Sequence, residues 1–323
     1  YINVKRFEDY YGDKPALDAI NFSIQKDPKT AYSELEAGNM DFCQMPTGRI
    51  QELTEKFGKA VDGYTISPSR QALLGAEASV YYLAVNLEDE TMANKDLRHA
   101  ISLAINRQNI VDTLFEGGRE PADNVFPPII DKKGGNWEFA EYDPEKAKQL
   151  LAEAGVSNLT LDCKIRKGQY EKYMTVIQSY WAEIGVTLNL TVEDSGVWQS
   201  DWADGNLEIT AIGWFPLYAD ADNHMYTYFY SANAKAKSSF YNNPKVDELL
   251  SEARVSQDKD ERASLYKEAD HIICHEDFAT IPLFWPKNSF AAKSYVKNAK
   301  VGNLVYHMFD LDIDTSDPDY KTA

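Results

Sequence analysis

The sequence predicts an α/β fold, and three observations carry that prediction. Strand-like and helix-like segments alternate along the 323 residues without a repeat or a low-complexity tract. Several helical segments carry their own start and stop signals. The hydrophobic content of 44%, with 12% aromatic, is ample to fill the cores of about two domains.

In chain order, "AINFSIQKD" (19–27) alternates apolar residues as a strand does, and "PKTAYSELEAGNMDF" (28–42) reads as a short helix stopped by Gly38 and followed by another strand. "SVYYLAVN" (79–86) is a second β-rich run. "NKDLRHAISLAINRQNIVDTLFEGG" (94–118) puts Leu97, Ala100, Ile101, Ala104 and Ile105 on one helical stripe, and Gly117 and Gly118 end the helical stretch. In "YDPEKAKQLLAEAG" (142–155), Asp143 is a natural N-cap, Pro144 sits at the first helical position and Gly155 supplies a left-handed stop. "YEKYMTVIQSYWAEIG" (170–185) is a helix. "VTLNLTVED" (186–194) is a strand alternating Val186, Leu188, Leu190 and Val192, and "EITAIGW" (208–214) repeats the unit. "NNPKVDELLSEAR" (242–254) opens on Asn243 and Pro244. "KDERASLYKEADHIICHE" (259–276) continues as an amphipathic helix into the strand "TIPLFW" (280–285). Strands alternating with crossover helices are the expectation throughout.

Charge excludes some functions. With 33 basic against 51 acidic residues the formal charge is −18, which repels nucleic-acid phosphates and anionic lipid over a Debye length. No apolar run approaches the roughly 18 residues that span a bilayer, and "YINVKRFEDYYGD" opens without a basic-then-apolar leader, so any targeting segment is expected to have been removed. Cys43, Cys163 and Cys274 fit no metal or redox spacing. One pair with a free thiol, or three buried thiols, are both open.

No residue pattern points to catalysis. There is no Gly-x-Ser-x-Gly elbow and no glycine-rich phosphate loop. In "HIICHED" (271–277), His271 and His275 are one helical turn apart, the spacing used for zinc, but the zincin motif needs a glutamate where Ile272 stands. Asp220, Asp222 and Asn223 resemble the start of a calcium loop without its spaced glycine or terminal glutamate, and so read as a structural turn. No metal and no cofactor is expected.

Nine stretches, taken together and in order, resemble the C-terminal part of a family 5 extracellular solute-binding protein, the group that includes the dipeptide- and oligopeptide-binding proteins of ABC importers. They are "YYGDKPALDAINFSI", "LEAGNMDF", "YYLAVN", "LRHAISLAINRQNIV", "YDPEKAKQLLAEAG", "WAEIGVTLNL", "GWFPLYADADN", "NNPKVDELLSEA" and "IPLFW". The resemblance implies a periplasmic-binding-protein type II fold with the N-terminal region missing. Crossings between lobes are expected near Tyr81 to Asn86 and Leu283 to Pro286. Residues 84–283 would form one complete lobe that folds without that region, and 1–83 with 284–323 would be the remaining part of the other. It also implies capture of a peptide or peptide-like solute in an interlobe cleft by a monomer that docks on membrane permease subunits, is not an enzyme and binds no nucleic acid. An extracytoplasmic location follows, in a periplasm or as a cell-surface lipoprotein. The same fold can instead hold a non-peptide solute such as a nickel chelate, an oligosaccharide or an opine-like compound.

The resemblance assigns Trp214 to a stacking wall of that cleft. An acid that binds a peptide's amino terminus in relatives falls at Leu217, and an arginine able to meet a carboxylate falls at Ala211, so both charged anchors are absent. Tyr81 and Tyr82 lie at a presumed crossing, where strand alternation sends only one of them toward ligand. Asn86, Trp202, Tyr218, Tyr226 and Trp285 are further candidates, and Trp198 divides between cleft and packing.

Overall fold

The computed structural model describes residues 1–130, 141–168, 170–234, 237, 239–304 and 306–320. The chain forms two units: Tyr1–Glu77, Phe115–Arg119 and Lys287–Ala323 in the first, Ala78–Leu114 and Glu120–Pro286 in the second.

The first unit begins with an antiparallel pair, β1 (Ile2–Lys5) and β2 (Ala19–Phe22). Helix α1 (Pro28–Ala37) starts where the Asp27 carboxylate accepts the Lys29 N–H at 2.9 Å, and it stops at Gly38, whose φ of +85° a side chain would strain. β3 (Phe42–Gln44), α2 (Ile50–Phe57) and β4 (Ala72–Ala76) follow. Tyr32, Leu35, Met45 and Leu53 interlock as one core, because α1 and α2 each turn an apolar stripe inward.

The second unit runs through β5 (Val80–Val85), α3 (Lys95–Leu103), α4 (Arg107–Phe115), β6 (Arg119–Pro121), α5 (Pro144–Glu153), β7 (Leu159–Arg166), α6 (Glu171–Glu183), β8 (Val186–Glu193), α7 (Ser195–Asp204) and β9 (Ile209–Trp214). It continues with α8 (Ala221–Phe229), α9 (Ser231–Ala234), α10 (Pro244–Val255), α11 (Lys259–His271), a π-helical turn at Ile272–Glu276 and β10 (Thr280–Ala292). The expected caps form: Asp143 accepts the Lys146 N–H, Asn243 accepts the Lys245 N–H, and Gly155 takes a φ of +68°.

Its sheet has the order β10–β5–β9–β7–β8. The sequence expectation of strands joined throughout by crossover helices needs correction here. Only β7 runs parallel to β8 and to β9; β5 is antiparallel to both neighbours, β9 and β10. Parallel neighbours need a crossover between them, as α6 provides between β7 and β8, whereas β9 and β10 return to β5 from long helical excursions. Beyond residue 286 the same long strand, β10, pairs with β3 and β4 of the first unit. Four two-residue strands, β11 (Val296–Lys297), β12 (Lys300–Val301), β13 (Tyr306–His307) and β14 (Asp312–Ile313), complete that unit in two antiparallel pairs.

Two buried arginines pin α3 and α4, the two helices of the predicted helical stretch. Arg98 donates to the carbonyls of Asp277 and Phe278, and Arg107 to the Pro282 carbonyl at 2.7 Å and Ser102 Oγ at 2.9 Å. Burial lowers the Arg107 pKa to about 10, still charged at neutral pH, so these bonds to carbonyl oxygens offset its desolvation. All three cysteines are buried free thiols. No described helix is long and apolar enough to cross a membrane.

Candidate functional site

The end of the second unit's sheet where β5 begins and β9 finishes collects aromatic side chains on both faces. Strand alternation sends Tyr81 to one face and Tyr82 to the other. On the first face the Tyr81 ring lies 5.1 Å from Phe284, 6.4 Å from Tyr170 and, edge-on, 5.8 Å from Phe215. Gly213 pairs with Tyr81 across the strands and makes this possible: a Cβ there would stand 3.0 Å from Tyr81 Cε1. Phe215 is half exposed, at 52%. Beside these rings the Arg166 guanidinium lies over Tyr170 and Trp198, and its Nη2 donates to Tyr170 Oη at 2.9 Å. No acid is paired with Arg166 among the described residues.

On the second face Tyr82 packs edge-on against Tyr228 at 5.7 Å, and Trp214 does the same at 4.8 Å. Burial raises the Tyr82 hydroxyl well above its ordinary pKa and the Tyr228 hydroxyl to about 12, so both stay neutral donors. Trp285 belongs to the same hydrophobic cluster, and Trp214 packs against it. The indole N–H groups of Trp214 and Trp285 are buried with no acceptor among the described residues. By contrast, the Trp181 N–H donates to the Ile101 carbonyl and the Trp198 N–H to Thr210 Oγ1, both at 2.9 Å. An unmade buried bond costs about 1–3 kcal/mol, so two at one strand end are costly unless something supplies acceptors.

The structure brings Tyr81, Tyr82, Trp214 and Trp285 together here, and Trp202 and Tyr226 pack against the same hydrophobic cluster as Tyr82, Trp214 and Trp285; Leu217, Tyr218 and Asn86 lie apart from them. Leu217 is 85% exposed in the loop after β9, where its N–H donates to Asn223 Oδ1. Tyr218 is half exposed and donates to Asp222 Oδ2 at 2.7 Å, beside a 210 Å³ pocket lined by Asp220, Asp222, Arg254 and Arg262. Asn86 stands at the opposite end of β5, donating to the Gly205 carbonyl and accepting the Glu88 N–H. Trp202 stacks on Trp198 at 5.2 Å along α7, and Tyr226 on Tyr230 at 4.4 Å.

The aspartates after β9 are engaged elsewhere. Asp220 caps α8 by accepting the Asp222 N–H, and it receives both Arg262 terminal nitrogens at 3.1 and 2.7 Å. Burial alone would raise its carboxyl pKa; the Arg262 guanidinium and the Asp222 amide outweigh burial and hold it below the usual range. Asp222 pairs with Arg254 at 3.0 Å and accepts from Tyr218 and Tyr266. His271 and His275 stack at 5.7 Å, with His271 3.5 Å from Glu276. No group of three or more metal-type ligands exists among the described residues.

Sequence reasoning did not single out Arg166, Tyr170, Phe215 or Lys237. Phe215 could have been found from alternation, since it is two residues beyond Gly213. No local signal marked Arg166 or Lys237; the Lys237 Nζ lies 5.3 Å from the Trp214 ring centroid.

The family model for bacterial extracellular solute-binding proteins, family 5 Middle, matches residues 1–236. The chain belongs to this family. Among relatives of this family 5 chain, heme-binding protein A of Haemophilus influenzae is 30% identical over 284 residues, covering 85% of this chain and 50% of the relative. The dipeptide-binding protein of Escherichia coli is 26% identical over 321 residues, covering 96% and 57%. The chain thus spans about half the length of the curated relatives it matches. Its fold is similar to the matching part of the periplasmic binding protein DppA from Helicobacter pylori in complex with the peptide STSA, at a TM-score of 0.82 and 27% identity, covering 96% of this chain and 60% of that one.

Proposed function

We propose that this family 5 chain serves a substrate-binding component of an ABC importer, and that its second unit contributes the strand-end surface of Tyr81, Phe215, Trp214 and Trp285 to capture of a peptide or peptide-like solute. The observation that carries the reading is the convergence of these rings, with unsatisfied donors, at one end of β5 and β9. Stacked and edge-on aromatics bind many solutes through apolar contact, while a few polar groups fix orientation. Arg166 is one polar group that could meet a ligand carboxylate on the Tyr81 face.

Capture, not chemistry, is the role that the family relatives, binding proteins, support. The two units are the parts of two lobes, and closure on the ligand would signal occupancy to membrane permease subunits. The component is a monomer outside the cytoplasm, in a periplasm or as a surface lipoprotein, with no nucleic-acid partner and no cofactor.

A non-peptide solute is the second reading. It is favoured by the engagement of Asp220 and Asp222 with arginines, which leaves no acid at this loop for a peptide's ammonium group. Native mass spectrometry of the intact protein tests both. A ladder of co-purified peptide masses supports the first reading, one discrete non-peptide mass the second, and a protein free of solute after purification and after incubation with peptide and metabolite mixtures contradicts the function itself.

A further inference from the structure

We infer that the Trp214–Trp285 end of the sheet is a subsite for an anionic, acceptor-only group of the solute, with Lys237 as the residue that selects for it. The inference rests on the receptor reading above. Trp285 follows Phe284, the strand partner of Tyr81, and so belongs to the opposite face, that of Tyr82. Trp214 pairs with Val80 on the other side of β5 and packs in the same cluster. The two indoles therefore flank one strand, with their Cα atoms about 10 Å apart from two strand spacings. Trp285 is only 8% exposed, and both N–H groups lack an acceptor among the described residues.

A cation completes the set. Lys237 Nζ lies 5.3 Å from the Trp214 ring centroid and 5.4 Å from that of Tyr228. In a chain with 51 acids against 33 bases, no acid pairs with Lys237 among the described residues. The acids of the following loop and helix are engaged, Asp220 with Arg262, Asp222 with Arg254, and Asp247 with Ser231. Two indole N–H donors and one ammonium without an acceptor match a carboxylate or a group of like chemistry, which accepts through every lone pair and donates nothing. A neutral amide at the same place would bring its own donors against these and leave them opposed.

The test uses the intact protein and an equimolar library of three- and four-residue peptides in which each Glu-containing member has a Gln-containing partner. Peptides retained on ultrafiltration are counted by mass spectrometry. The wild type is expected to retain Glu members about tenfold over their Gln partners, the difference a charge-assisted hydrogen bond makes. Lys237→Met should bring the ratio near one and Lys237→Arg should keep it. Trp285→Phe, which removes the N–H and keeps the bulk, should lower it. An undiminished preference in Lys237→Met, or retention by the wild type without preference, overturns the subsite and leaves the receptor reading standing. Retention of no peptide overturns the peptide reading and the subsite with it.

Discussion

The Tyr81 ring crosses the backbone of Gly213, its strand partner, so closely that one added methyl at residue 213 would meet Cε1 at 3.0 Å and Phe215 Cε2 at 3.1 Å. The missing side chain at Gly213 sets the shape of the first aromatic face. Gly213→Ala should leave the chain folded, because the rings can give by a few tenths of an ångström. Overpacking of this kind costs about 1 kcal/mol, or a few degrees in melting temperature. Solute affinity should fall more steeply than stability, as Tyr81 and Phe215 shift together. Unchanged affinity in calorimetry would detach this face from ligand.

The ion pair of Asp220 and Arg262 is a structural device in this account. Asp220→Ala removes the α8 cap, worth about 1 kcal/mol, and leaves Arg262 without its bidentate partner. The pair is partly exposed, which limits its share to at most about 1 kcal/mol. Urea denaturation should show a loss of about 1–2 kcal/mol with unchanged solute affinity. Intact stability with lost affinity would return Asp220 to the binding site.

Asp270 is fully buried on α11, accepting the Val125 N–H at 3.0 Å and the Cys274 thiol at 3.4 Å. Burial is the main cause that raises its pKa to about 7 from an ordinary 3.8. The folded chain therefore holds a proton that the unfolded chain has lost between pH 4 and 7. Stability contributed by this group is complete below about pH 4 and is lost as pH rises through 7, at up to about 1.4 kcal/mol per pH unit. Asp270→Asn keeps the Val125 bond and does not titrate. The stability difference, wild type minus variant, should decline from pH 4 to 7 and level off above; parallel curves would show that Asp270 titrates normally.

Much of this fold was legible because its signals are local. The caps at Asp143 and Asn243 and the stops at Gly38 and Gly155 are set by side chains within a few residues of the backbone groups they satisfy. Strand direction was less legible, since β9 and β10 find β5 from far along the chain and pattern alone does not orient them. At the site, alternation separated Tyr81 from Tyr82, and Gly213 and Trp214 marked the last residues of β9. Arg166 and Lys237 went unseen because their significance is tertiary: each lies on aromatic rings brought from far along the chain, with no acid paired to it among the described residues.

The acids after β9 being committed to arginines, a peptide's ammonium group gains nothing fixed at Leu217. N-acetylated and free forms of one peptide should bind the intact protein within about threefold of each other. A loss of more than about tenfold on acetylation, the size of a charge-assisted hydrogen bond, would place an amine site there after all.

The central claim is that solute is held at the strand ends by Trp214 and its neighbours, and the most direct measurement is native mass spectrometry of the intact protein beside Trp214→Ala and Trp202→Ala variants purified alike. The account predicts a co-purified solute on the wild type and on Trp202→Ala, and its loss from a folded Trp214→Ala. Equal solute on folded Trp214→Ala and wild type would contradict it.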